Sequence, residues 1–147
     1  MFYPDKSFID TLTAGEKFIF VKIICGVVAV DRQVTREELL YLKELALKFG
    51  VSADSLSVMI KTADKEALIK QARMVTERSK ALVLIKDMCM TANIDTDLAD
   101  DEIDYILDIA EAMNIDANTV RDINSVVNEY LALSKKACIL LEQEHWT

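Results

Sequence analysis

Two stretches of this chain place an Asp, an aliphatic residue and a Glu at the spacing that oxygen-ligated cations use. The first runs from Asp31 through Val34 to Glu38, and the second from Asp95 through Leu98 to Glu102. The pattern matches the second half of an EF-hand calcium loop, where an Asp, an aliphatic residue and a bidentate Glu hold positions 5, 8 and 12. The first half is missing. Positions 1 and 3 fall on Val27 and Ala29 in one copy and on Thr91 and Asn93 in the other, and the loop Gly is replaced by Arg32 and Thr96. A standard EF-hand is therefore excluded, and a looser divalent-cation site is the chemistry that remains. Its candidate ligands are Asp95, Asp97 and Glu102 in the second copy and Asp31 and Glu38 in the first. The second is the richer, because Asp95, Asp97, Asp100, Asp101, Glu102 and Asp104 crowd one loop and helix turn, whereas Arg32 and Arg36 oppose a cation in the first. Such hard donors select Ca²⁺ or Mg²⁺ over soft metals. The same residues also have a purely structural use. Glu38 completes a capping box with Thr35, carboxylates in a first helical turn are favoured by the helix dipole, and Asp31 and Asp95 can accept hydrogen bonds from their own loops.

Other chemistry is poorly provided for. His145 is the only His, which removes Ser/His/Asp and Cys/His triads within one chain and the Glu-x-x-His pairs of di-iron bundles. No Gly-rich phosphate loop occurs. Met88, Cys89 and Met90 are adjacent, but successive helical residues point about 100° apart and cannot chelate together. No cofactor other than a divalent ion is expected, and no catalytic residue.

The elements that position the two corners read as helices almost throughout. Gly and Pro are rare, and apolar residues recur at three and four. Thr13 and Glu16 form a capping box for a first helix that is apolar nearly all round from Ile23 to Val30 and so should be buried centrally. Thr35 starts a second helix with Leu39, Leu42, Leu45, Ala46 and Phe49 inward, ending at a left-handed Gly50. Ser52 caps a short third helix. Residues 61–80 are more polar but keep helical spacing at Leu68, Ile69, Ala72 and Val75, giving a fourth whose Lys and Arg form a solvated outer face. A fifth spans about 79–92. A sixth spans about 99–114 with Ile103, Ile106, Ile109, Ala110 and Met113 inward, ending at Asn114. A last helix runs from near Asp116 to about Glu144, its inner face continuing through Ala137, Cys138 and Leu141.

Residues 18–56 align with residues 82–120 at a constant offset of 64. Lys22/Lys86, Cys25/Cys89, Asp31/Asp95, Glu38/Glu102, Tyr41/Tyr105, Ala46/Ala110 and Ala53/Ala117 are identical pairs, and the apolar register matches at Val34/Leu98, Leu39/Ile103, Leu42/Ile106, Leu45/Ile109, Phe49/Met113, Val51/Ile115 and Leu56/Val120. One unit cannot cover its own apolar faces, so two should pack together. The expected fold is all-α, a compact bundle of about seven helices. It would be one domain over residues 1–147, built from two helix-loop-helix units related by an approximate twofold, with Tyr41 and Tyr105 as half-buried struts.

A hydrophobic fraction of 52% and a charged fraction of 29% suit a folded domain. A net charge of −8 disfavours nucleic acid and anionic membranes. Three Cys without a C-x-x-C pair read as reduced thiols in a cytoplasmic compartment. No signal peptide or spanning segment is expected, since the apolar run from Phe18 to Val30 falls short of the roughly 20 residues a bilayer needs.

The corners also carry a family resemblance. The segments Val28-Ala-Val-Asp-Arg-Gln-Val-Thr-Arg-Glu-Glu38 with Phe49-Gly-Val51, and Ala92-Asn-Ile-Asp-Thr-Asp-Leu-Ala-Asp-Asp-Glu102 with Met113-Asn-Ile115, resemble the duplicated motif of the TerB-like family. That family is named for a tellurite-resistance protein, and a related domain precedes the J-domain of a membrane-anchored bacterial co-chaperone. The family motif has Gly where this chain has Arg32 and Thr96, and Ser/Thr where it has Ala99. The resemblance covers roughly residues 15–130. It implies an all-helical fold, no enzymatic activity, a role in protein–protein interaction or stress response, and metal binding in some members at positions matching Asp31, Glu38, Asp95 and Glu102.

Three functional readings follow. The first is a cytoplasmic interaction module with a protein partner, modulated by a divalent cation at the acidic loops. The second is a structural or oligomerising subunit without metal, whose last helix, with Leu140, Leu141 and Trp146, docks a partner or a second copy. The third is a metal-dependent hydrolase, for which one acidic loop without His, Cys or a nucleophile provides little. The acidic corner generates a direct expectation. Calorimetric titration of the metal-free protein with Ca²⁺ should give weak, saturable binding that an Asp95→Asn/Glu102→Gln double variant loses. Absence of heat and of any melting shift at millimolar ion would refute the cation site.

Overall fold

A computed structural model describes residues 5–30, 34–94 and 100–143, and among these every regular element is a helix. There are eight: α1 (Lys6–Ile9), α2 (Ala14–Ala29), α3 (Arg36–Lys48), α4 (Ala53–Lys61), α5 (Lys65–Ala72), α6 (Arg78–Asn93), α7 (Asp100–Ala112) and α8 (Ala117–Gln143). The sequence predicts seven. The additional one is α1, a single turn held by Asp5, whose carboxylate accepts from Ser7 N–H and Oγ. It is too short for any periodicity to announce it.

The helix starts form as the residues dictate. Thr13 Oγ1 accepts from Glu16 N–H at 3.1 Å while Glu16 Oε1 accepts from Thr13 N–H at 2.9 Å, and Thr35 and Glu38 repeat the arrangement. Ser52 Oγ caps α4 through Ser55 N–H. Two helix ends close in the same way. Gly50 and Asn114 take φ values of 74° and 61°, and the next residues, Val51 and Ile115, donate back to Ala46 O and Ala110 O. This six-to-one bond satisfies a carbonyl that the helix end leaves open.

Two helices make the centre. From Phe20 to Val28 every residue of α2 is buried except the half-buried Lys22, and Leu84 to Asn93 of α6 are nearly as enclosed. They pack on each other. α3, α4, α5 and α7 also touch α2, and α3, α7 and α8 touch α6. The central burial expected of the first helix is therefore observed. Elsewhere the sequence places too much inside. Ile103 is 36% exposed, and Ala137, Cys138 and Leu141 are exposed, because α8 outruns the helices it packs on. Tyr41 and Tyr105 are buried rather than half-buried.

α2 and α7 approach closely at Gly26. Tyr105 is fully enclosed and its Oη donates to Ile23 O at 2.8 Å. The ring lies where a side chain at position 26 would go: a Cβ added to Gly26 would overlap Tyr105 Oη and lie 2.5 Å from Cζ. Gly50 differs, since a Cβ there meets nothing within 4 Å and only its positive φ opposes substitution. Gly26→Ala should therefore cost roughly 2–4 kcal/mol through overpacking and a broken buried hydrogen bond. Gly50→Ala should cost about 1 kcal/mol of backbone strain. Urea denaturation of both variants checks the order, and equal losses would refute the close approach.

Candidate functional site

The two corners converge on the first turns of α3 and α7. Glu38 and Glu102 each occupy the third helical position, and both are buried, at 2% and 1% exposure. Glu38 commits one oxygen to Thr35 N–H at 3.0 Å. Asp31, Asp95 and Asp97 lie outside the described residues.

The remaining carboxylates of the second corner do not gather. Asp100 is exposed, and Glu102 points into the core. Asp101 and Asp104 line a cavity of about 400 Å³ beside Gly26, Ala63, Lys65 and Leu68. The helical rotation of about 100° per residue separates side chains that are crowded in sequence. Among the described residues no group of three or more His, Cys, Asp or Glu is arranged to hold a metal ion. Farther along α7, Asp108 meets Lys65 of α5 at 2.7 Å, so one cation of the polar 61–80 stretch serves to join two helices. Another, Lys80, meets Glu16 at 2.8 Å and holds that carboxyl below its usual range.

The thiols offer no nucleophile at neutral pH where they are enclosed. Burial pushes Cys25 and Cys89 up to about 12, so both remain protonated core residues. Cys138 is exposed on α8.

Sequence reasoning passes over Asp87, the one fully enclosed Asp among the described residues. Its carboxylate meets Lys86 Nζ at 2.5 Å, with Lys48 of α3 as a more distant cation. Desolvation outweighs both and raises its pKa to about 6. A signal for it exists in the repeat, since the residue 64 positions earlier is the core residue Ile23. A second polar tie lies farther along α6, where Asn93 Nδ2 donates to Cys89 O and to Asn124 Oδ1 of α8.

Among the described residues Leu47 and Met74 are the most exposed large apolar ones, but α8 carries several in one element. Val120 and Val127 are buried, while Ile123, Tyr130 and Leu131 are half-buried. From Ala132 to Glu142 every residue but the half-buried Ser134 is exposed, and this stretch carries Leu133, Ile139, Leu140 and Leu141 at 47–66% exposure. Beside the first half of α8, a groove of about 460 Å³ opens against α6, floored by Leu82, Val83, Ile123 and Val126. No helix among the described residues is long and apolar enough to cross a membrane.

Comparison with family models, with curated proteins and with solved structures returns no match for this chain.

Asp87 makes the fold sensitive to pH in a defined direction. Its folded pKa lies above the ordinary 3.8, so the folded state holds this proton more tightly than the unfolded chain. Its contribution is most favourable below about pH 4 and is lost as pH rises through about 6. Relative to the wild type, Asp87→Asn should gain on the order of 2–3 kcal/mol between pH 4 and pH 7. Denaturant unfolding of both proteins at the two pH values measures this, and a pH-independent difference would refute it.

Proposed function

We propose that this protein is a non-enzymatic helical interaction module of the TerB-like kind, and that its partner-contacting element is the second half of α8. The carrying observation is that residues 132–142 contribute nothing buried to the fold yet present four large aliphatic side chains. An exposed apolar stretch on a projecting helix is ordinarily explained by contact with another molecule.

The scaffold behind it is proposed as two four-helix units, α1–α4 and α5–α8, related by an approximate twofold. Three observations support this reading. Glu16 and Lys80, which are 64 positions apart and so equivalent, pair with each other, as residues beside such an axis would. The contacts of α2 with α4 and α7 are mirrored by those of α6 with α8 and α3. The cleft that α1 forms with Leu47, Lys48 and Gly50 at the end of α3 corresponds to the one that α5 forms with Glu111, Ala112 and Asn114 at the end of α7. In this scaffold Glu38 and Glu102 are inward residues of matching helix starts, and the corners set the angle between central and outer helices.

The test is a paired capture experiment. Immobilised wild-type protein and a Leu140→Asp/Leu141→Asp variant are compared for the proteins they retain. The variant should melt within about 2 °C of the wild type, because both positions are exposed, and should lose the specifically retained species. Identical retention by the two proteins would overturn this assignment of the contact surface.

A further inference from the structure

Six apolar residues of α8 form one row, with the exposed Ile139 and Leu141 lying beside its end. Ile123, Val126, Tyr130, Leu133, Ala137 and Leu140 follow one another at alternating steps of three and four, the spacing of a coiled-coil seam. Val126, Leu133 and Leu140 are 49%, 66% and 58% exposed, Ala137 is exposed, and Ile123 and Tyr130 are half-buried at the edge shared with the body. The seam therefore runs beside the face with which α8 packs on α6 and α7, and it continues past the end of the body.

Resting on the reading of α8 as the contact element, we infer that its partner is a second copy of this chain, with the two α8 helices pairing antiparallel about a point between Leu131 and Ala132. In that register each layer joins two apolar residues. Ile123 meets Leu140 of the second copy, Val126 meets Ala137, and Tyr130 meets Leu133, and each contact occurs twice. The end of each helix, at Leu140, comes to the groove between α6 and α8 of the other copy, whose floor includes Leu82, Val83 and Ile123. The seam from Ile123 to Leu140 is about 25 Å long at the helical rise per residue.

Charge selects this arrangement. Glu129 and Lys136 flank the seam on one side, and neither has an ion-pair partner among the described residues. Antiparallel pairing brings Glu129 of each copy beside Lys136 of the other, giving two cross-chain ion pairs. Parallel pairing would place Glu129 near Ser134 and Lys136 near Leu141 instead. It would also set both helical bodies at the same end of the pair, where they would compete for space. In the antiparallel arrangement the bodies lie at opposite ends, and each free half-helix runs along the other's body.

Sedimentation equilibrium of the full chain over a concentration series tests the inference. The expected result is a mass twice the 16.6 kDa of the chain. Leu133→Glu, which alters the central layer twice per dimer, should raise the dissociation constant about 100-fold or more with unchanged circular dichroism. Glu129→Lys and Lys136→Glu should each weaken association several-fold by opposing like charges, and the double exchange should restore it, which parallel pairing would not produce. A dimer indifferent to Leu133→Glu, or single charge variants that the double exchange does not rescue, would overturn the inference. A chain monomeric at all concentrations that still loses a retained protein on Leu140→Asp/Leu141→Asp would overturn the second copy as partner and leave the contact element standing. If neither association nor retention responds, both readings fall.

Discussion

The fold depends on two helices enclosed on nearly every side over their central turns, Phe20 to Val28 and Leu84 to Asn93. A helix apolar on every side is stable only if neighbours cover every side. α2 meets this by contact with α3, α4, α5, α6 and α7, and α6 by contact with α2, α3, α7 and α8. The backbone polar groups of both are bonded within the helix, so enclosure costs little there, and each fully buried aliphatic side chain contributes about 1.5–3 kcal/mol. A capping box contributes nearer 1 kcal/mol. The packing of α2 and α6 therefore decides that the chain folds, and the caps decide where each surrounding helix begins. Tyr105 shows how close the packing becomes: its hydroxyl reaches a carbonyl of α2 only because Gly26 leaves the space.

Features governed by local rules were legible in the sequence. The boxes at Thr13/Glu16 and Thr35/Glu38, the cap at Ser52 and the left-handed residues Gly50 and Asn114 each depend on a few neighbours along the chain, and all form. Features set by where the body ends were not. Periodicity assigns Ala137, Cys138 and Leu141 to the same face as Val127, but it carries no information about whether another helix stands opposite. Asp87 escaped for a related reason. A charged residue in a helix ordinarily reads as solvated, and only the comparison with Ile23 across the repeat marks its position as interior.

The acidic corners illustrate the gap between a motif and a site. Carboxylates suit hard cations, and Glu38 and Glu102 stand in the first turns of their helices. A ligand set, however, needs oxygens that converge. Along α7 the carboxylates turn to different surroundings: Glu102 into the core, Asp101 and Asp104 beside the cleft with α2 and α5, and Asp108 onto Lys65. Asp108 acts between helices, where a partly exposed pair contributes at most about 1 kcal/mol but fixes orientation.

On the proposed two-unit scaffold, the places where the halves of the chain differ are informative. α4 has nine residues, and these suffice to touch both α2 and α3. At the same offset they map onto residues 117–125, the first third of α8, which touches α6 and α7. Everything in α8 beyond residue 125 has no counterpart in α4. In the first half the chain instead turns at Thr62 and enters α5, which covers α2 and α7. In the second it continues as helix, and Val126, Leu133 and Leu140 all belong to this continuation. A helix that had merely lengthened would be expected to expose polar residues on all sides past the body, because exposed leucines gain nothing in water and favour aggregation. Instead one stripe stays apolar at coiled-coil spacing, with Ile139 and Leu141 beside its end, while Glu129, Lys135, Lys136 and Glu142 take other positions. On the proposed reading of α8 as a contact element, that spacing carries more weight than the exposure itself.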